Sequence, residues 1–538
     1  MAILCNCCRR FEADDEPIIC VALKGGPCSA CRERATIRQK IKKLEEELAK
    51  LKAKHDTVTA TMNAIHDPFI HKLPPEIGSH IIRLCLPTLS NDEHLEAVLN
   101  LQEDRSSAKI VNLGAVCRKW RQLAWTTPDL WNTLYLRIGL WTRRSLAESL
   151  PDLVHEWLER SGSLPLTIFF FRHYPAYGDE SSDEDGSEAD KDTQEVAIGL
   201  IIETLNFHSQ RWQIINIVTT AEMFRRFSSS IRPNQVVGLG LRLCNVYDPL
   251  ASPPTFMMES KFSPTHLMLG NFPLKSINVH WDDITHINLC DISTEACIDV
   301  LRRAPVMEYF NISIQDRCEI KQPILHPRLR SLHLSRSDHY IEEFLARINL
   351  PSLKEWTQDM CNRNFPVAAM VSFSKRSGCC LKVLHLYTLT TYSKGLDTFL
   401  QAIPTLEQIH LSFDSAFSAK TIMDDILPRI FRPAPGSGSI LVEDHTPEPF
   451  LTRLQFVECN AVGRNAPLSW DCIPRLYRQG HSRSLALKTI VNKSDITDET
   501  ALQLLQLADE GLNLQIFDIS IGGYFLENFR KRMCGQGV

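Results

Sequence analysis

Four cysteines near the start of the chain are spaced for metal chemistry. Cys5 and Cys8 form one C-x2-C pair, Cys28 and Cys31 form a second, and nineteen residues separate the pairs, within the range of four-thiolate zinc sites. Two such pairs on tight turns would close a tetrahedral cage and fold a segment with little apolar material. A structural zinc at these four residues is one expectation; reduced, uncoordinated thiols are the other, because Cys7 and Cys20 are rival ligands. No other cofactor is required. Catalytic chemistry finds no foothold: H-E-x-x-H, G-x-S-x-G, Walker A and G-x-G-x-x-G strings are all missing. No catalytic residue is assigned, and the chain is expected not to be an enzyme.

Length and composition say what must position such groups. With 538 residues, 44% hydrophobic and 23% charged, the chain has the make-up of a globular protein of several domains. No apolar run reaches the ~20 residues needed to span a bilayer, and cysteines and charges interrupt the first sixteen residues where a secretory signal would be apolar. An intracellular location, cytoplasmic or nuclear, is expected, with the eighteen cysteines reduced rather than paired. The net charge of −5 conceals an acidic tract at 178–195 with nine acids and one lysine. That tract is expected to be a disordered loop. Basic residues interleaved with aromatics are not found, so no nucleic acid partner is expected, and no membrane.

From Ile37 the apolar residues recur at Ile41, Leu44, Leu48 and Leu51, then, past polar His55, at Val58, Met62 and Ile65. Alternating steps of three and four are a heptad seam. The spacing predicts a helix over 36–66 that either self-associates as a coiled coil or folds back on a neighbouring domain.

Two further stretches, IHKLPPEIGSHIIRLCLP and LGAVCRKWRQLAWTTPDLW, read as helices. Pro74 and Pro75 suit a helix start; Ile77, Ile81, Leu84 and Cys85 then make one apolar face, and Leu113, Val116, Cys117, Trp120 and Ala124 another. The ordered signals LPPEI, VCRKWR and LW resemble the F-box, a three-helix module that binds the Skp adaptor of cullin-RING ubiquitin ligases. The resemblance implies that Leu73, Pro74, Ile77, Ile81 and Leu84 face the adaptor from the first helix. It assigns Val116, Cys117 and Trp120 to support or contact from the last helix, and Trp131 to the closing aromatic. Residues 87–110 are an insertion relative to a compact F-box. A cysteine-containing head, a heptad helix, an F-box and then WLERSGSLPL is an organisation similar to the large F-box families of mushroom-forming fungi.

Beyond 133 the chain repeats itself. The pattern L-x-x-L-x-L, with other apolar residues allowed, begins at Ile284, Met307, Leu329, Leu381, Leu406 and Leu451, with a weaker copy at Leu353. The steps from 284 to 406 are 23, 22, 24, 28 and 25, and the series resembles irregular leucine-rich repeats. Amphipathic runs closed by Pro305, Pro351, Pro404 and Gly511 supply a helix between strands, so the expectation is a solenoid with a parallel sheet. Alternation turns the leucines inward and leaves Asn288, Asn311, His333, Thr357, His385, His410 and Gln455 on the concave face. His333, His385 and His410 are the candidate target-binding residues, expected to be exposed, to titrate near pH 6 to 7, and to be replaceable without loss of stability.

The fold class expected is therefore α followed by α/β. A cysteine-rich head occupies 1–35, the heptad helix 36–66, a three-helix F-box bundle 67–132, and the repeats 133–538, with a Pro/Gly/Ser insertion at 431–439. The function this implies is the substrate-recognition subunit of an SCF-type cullin-RING ligase, binding the Skp adaptor and, through the repeats, a protein target. The competing reading is a non-catalytic coiled-coil scaffold whose F-box-like bundle caps the solenoid.

Overall fold

The computed structural model describes residues 28–65, 73–84, 112, 114–116, 118–139, 142–173, 188–228, 236–244, 253–314, 316, 322–335, 340–359, 366–389, 395–413, 451–461, 470, 473–474, 486–491 and 496–533. Cys5, Cys8, Cys117, the insertion 87–110 and the segment 431–439 lie outside the described residues. The described chain divides into two units between Thr127 and Pro128.

The first unit begins with helix α1 (Ser29–Ile65). It starts ahead of the boundary expected at residue 36, because nothing in SACRERATIRQK after Pro27 breaks a helix. Cys28 directly precedes it and Cys31 is buried in its first turn, so the second cysteine pair stands on a helix start and not on a turn. The heptad positions Ile37, Ile41, Leu44, Leu48, Leu51, Val58 and Met62 are all 49–64% exposed. Two helices of the expected bundle follow, α2 (Pro75–Leu84) and α3 (Arg118–Trp125). Pro75 occupies the first position of α2, where its missing N–H costs nothing, and Glu76 and Arg83 complement the helix dipole at either end.

The second unit is built on one open sheet of 15 strands in which order in space is order in the chain. The first seven are β1 (Thr133–Gly139), β2 (Leu166–His173), β3 (Trp212–Thr219), β4 (Gly238–Leu243), β5 (His266–Gly270), β6 (His286–Ile292) and β7 (Tyr309–Ile314). They continue into β8 (Ser331–Ser335), β9 (Glu355–Asp359), β10 (Val383–Leu389), β11 (Gln408–Phe413), β12 (Phe456–Ala461), β13 (Ala486–Val491), β14 (Leu514–Asp518) and β15 (Gly523–Tyr524). Every neighbouring pair is parallel except the last, β14 with β15. Parallel neighbours require a crossover, and helices supply several: α4 (Arg144–Arg160), α5 (Glu188–Phe207), α6 (Ala221–Phe224), α7 (Thr294–Arg303), α8 (Ile341–Arg347), α9 (Val367–Ser377), α10 (Leu396–Gln401) and α11 (Asp498–Asp509); α12 (Phe525–Met533) follows the last strand. The N-caps are made locally: Ser293 accepts from the Ala296 N–H at 3.1 Å, and Thr497 from that of Thr500 at 3.3 Å.

The period-2 alternation is visible in burial, with Leu384 and Leu386, Ile409 and Leu411, and Val457 and Cys459 turned into one continuous core. Two expectations change. Residues 188–195 of the acidic tract are helical and not a loop: α5 begins at Glu188, because the apolar run from Val196 packs Ile198, Ile201, Ile202 and Leu205 into the core and acids are favoured in a first helical turn. The seventh repeat is shifted. Leu451 sits in the left-handed region at φ 58°, so the turn is made there and the pattern starts at Leu454, giving Leu454-x-x-Val457-x-Cys459 in place of the frame from Leu451.

His326 ties successive units together. Buried to 1% exposure, its Nε2–H donates to Ala304 O at 3.0 Å at the end of α7, and its Nδ1 accepts from the Leu329 N–H at 3.1 Å. Only the neutral ring does both. Burial holds His326 below its ordinary 6.5, and does the same to His208, His333 and His410. The unfolded chain therefore binds more protons between the depressed native values and 6.5, so stability is full above that pH and is lost as pH falls through the window. Thermal unfolding is expected at a lower Tm at pH 5.5 than at pH 7.5. His326→Gln, which keeps a donor and an acceptor without titrating, is expected to show a smaller drop; an equal drop would remove His326 from the account.

Candidate functional site

The parallel register carries one side-chain row across the sheet. Asn288, Asn311, His333, Thr357, His385 and His410 stand opposite one another on consecutive strands β6 to β11. The row then continues through Glu458, Lys488 and Gln515. Gln455 is not in it: the shifted frame puts this residue, exposed, just before β12, and Glu458 takes its place. Motif counting missed this because Cys459 was not credited as a core position.

The histidines are less open than expected. His385 and His410 stack with ring centroids 4.1 Å apart and keep 18% and 20% side-chain exposure. His410 Nδ1–H donates to Glu458 Oε2 at 2.9 Å; Glu458 Oε1 accepts from Lys488 Nζ at 3.1 Å and from Asn460 Nδ2 at 3.1 Å. On the other side His385 Nε2 lies 3.4 Å from Glu355 Oε1. Burial lowers the His410 pKa, with help from His385, and outweighs Glu458; at His333 burial outweighs Asp359. The His385 hydrogen bond lowers Glu355. Burial would raise Glu458, but the bonds from Lys488, Asn460 and His410 together hold it below the usual carboxylate range. The physical reason is the neighbouring strands: at roughly 4.8 Å spacing, each ring is walled by the next. The set is a line of hydrogen-bonding groups with imidazoles between carboxylates, suited to polar recognition. Among the described residues no group of three or more His, Cys, Asp or Glu side chains could hold a metal ion.

In the first unit α2 packs on α3, with Gly78 against Leu123 and Ile82 buried, and the Ile77, Ile81 and Leu84 face read from the sequence is not the buried one. A Cβ at Gly78 would lie 2.8 Å from Leu123 Cδ1, so glycine is what lets Leu123 in. The Thr127 hydroxyl, 3.0 Å from Ser79 Oγ and 2.6 Å from Leu123 O, ties the end of α3 to α2. With that side committed to the bundle, Ile77 (47% exposed) and Leu84 (69%) point away from it, with half-buried Ile81 between them. Leu73 is half-buried, Pro74 and Val116 are exposed, and Trp120 is partly buried.

A family model described as F-box-like matches residues 70–137. The chain carries an F-box-like domain. Among curated proteins none matches the chain. F-box domains typically bind Skp-type adaptors, and among the described residues of this one the outward side of α2 leaves apolar side chains exposed. The matched segment ends inside β1, and Trp131 belongs with the sheet: it is buried, meets Trp157 edge-on at 4.7 Å and lies under the Arg160 guanidinium at 4.6 Å. Its ring is used in packing there.

Other groups on the sheet escaped the sequence reading. His266 and His286 stack at 4.2 Å, each ring nitrogen Nδ1 2.9 Å from the hydroxyl of the preceding threonine; the repeated Thr-His dipeptide at 265–266 and 285–286 was the available signal. Glu355, Glu458 and Lys488 had none without the register.

The Glu458 cluster generates a stability test. Glu458→Ala removes the acceptor of three donors and is expected to cost about 1–2 kcal/mol, reduced from the buried-pair range because Lys488 is partly solvated. Gln455→Ala is expected to cost close to nothing. Denaturant titrations giving the reverse order would contradict the shifted frame.

Proposed function

We propose that this chain is the substrate-recognition subunit of an SCF-type cullin-RING ubiquitin ligase, holding a Skp-type adaptor with its F-box-like domain and a protein target with its sheet. The observation that carries the reading is the outward stripe of α2: Ile77 and Leu84 stay in water although Gly78 and Ile82 already provide the bundle contact. Apolar side chains grouped this way mark a partner surface, and their positions coincide with the residues that the F-box resemblance assigns to the adaptor. Leu73, Pro74 and Val116 extend it.

The second half of the reading draws on the sheet. Strands in chain order, with an inward apolar pair and a polar residue between them in β6 to β8 and β10 to β12, are the arrangement by which a leucine-rich-repeat array buries its core and keeps a rigid row for a partner. His333, His385 and His410, with Glu458 and Lys488, form the target-facing part of that row. Ubiquitin transfer belongs in this reading to the RING partner and its conjugating enzyme; the chain contributes proximity and orientation. It needs no cofactor of its own and works in the cytoplasm or nucleus.

Co-purification of the intact chain with a Skp-type adaptor tests the proposal. Wild type is expected to retain the adaptor, and Ile77→Glu with Leu84→Glu to weaken it by about 30-fold or more, from ~2 kcal/mol at a central apolar contact. Because both side chains are outside the bundle core, the double mutant should melt with wild type. A folded wild-type chain that does not retain the adaptor would overturn the receptor reading in favour of a structural scaffold.

A further inference from the structure

Helix α1 leaves its apolar seam in water over 37 residues of helix. Isolated helices take little stability from propensity and depend on packing an apolar face, and a contiguous exposed stripe of this kind marks an association surface. The partner's chemistry is written in the residues that flank the seam. In the heptad set by the steps of three and four, Ile41, Leu48, His55 and Met62 fall at position a, and Ile37, Leu44, Leu51 and Val58 at position d.

In a parallel two-stranded coiled coil each g residue meets the e residue of the other helix in the following heptad. The g residues with a charged e partner are Glu33, Lys40 and Glu47, matched to Arg38, Glu45 and Lys52; the next g residue, Lys54, meets uncharged Thr59. Laid in register on a second copy, all three pairs are opposite in sign: Glu33 with Arg38, Lys40 with Glu45, and Glu47 with Lys52. The polar position agrees. In register, His55 meets His55 in a single layer and every other layer from Ile37 to Met62 is apolar against apolar; Arg34, the a position ahead of the seam, meets Arg34. In an antiparallel pair a residues oppose d residues, so each His55 would be set against an apolar side chain in two separate layers.

We propose that α1 forms a parallel, in-register homodimer with a second copy of this chain. The dimer stands on the seam and its flanking charges and does not depend on adaptor binding. If the receptor reading also holds, each complex carries two adaptor-binding domains and two recognition rows, and a target with two epitopes gains effective concentration without any new contact.

Sedimentation of the intact chain tests this. At micromolar concentration wild type is expected to sediment at twice the 61.3 kDa chain mass, and Leu44→Lys with Leu48→Lys to lose the dimer while retaining the wild-type melting of the sheet unit and wild-type adaptor retention. Orientation is read from two tagged chains: Lys40→Glu and Glu45→Lys are each expected to weaken their own homodimer by like-charge pairing and, when mixed, to prefer each other. A monomeric wild type, or a dimer unaffected by the seam substitutions, would overturn the proposal. A dimer in which the two charge variants show no mutual preference would overturn its parallel register.

Discussion

The constraint on which the sheet unit depends is the register of its parallel ladder. A slip of one residue between any two strands would turn that strand's whole inward set outward. The ladder avoids it by inward apolar pairs on many of its strands, such as Leu332 and Leu334, Leu384 and Leu386, and Ile409 and Leu411, which no other register would bury. Irregular pairing does occur, between Leu166 and Thr167, Leu289 and Ile292, and Leu386 and Leu389, but each lies toward a strand end. The central row from Tyr135 to Gln515 passes through unbroken.

That continuity explains the electrostatics of the row. Side chains in it have no room to spread sideways, so His385 and His410 must stack and His410 must meet Glu458. Burial between strands then keeps His333 and His410 neutral, while donors converging on Glu458 keep it charged. Gly270 shows the same economy of space: a Cβ there would lie 2.7 Å from the Arg242 side chain, which crosses β5 to reach Cys290 Sγ at 3.7 Å.

Much of this was legible before any coordinates. Six of the seven row residues were placed by alternation alone, since L-x-L at a regular step is a local signal that the fold repeats. The seventh failed where a leucine takes a left-handed backbone, a conformation sequence pattern does not flag. The α2 surface was half legible. Ile77, Ile81 and Leu84 were read as its apolar face, but the buried side of Gly78 and Ile82 was not, because it depends on Leu123 entering over Gly78, a contact between residues far apart in the chain. The burial of the histidines was not legible, because polarity says which face a residue takes and not how closely its neighbours crowd it. Nor was the helical end of the acidic tract from Glu188, decided by apolar residues that follow it. Helix α1 was read nearly as it stands, since a heptad pattern is its own evidence of period.

The structure presents two surfaces, an apolar stripe on a small helical domain and a polar row on a rigid sheet, and the proposed function gives them separate tasks. Hydrogen exchange of the intact chain with and without a Skp-type adaptor tests this division most directly. The account predicts slowed exchange confined to Pro75–Leu84 and the flanking residues around Leu73 and Val116, with the amides of β8 to β13 unchanged. Protection falling on those strands, with none on Pro75–Leu84, would contradict it.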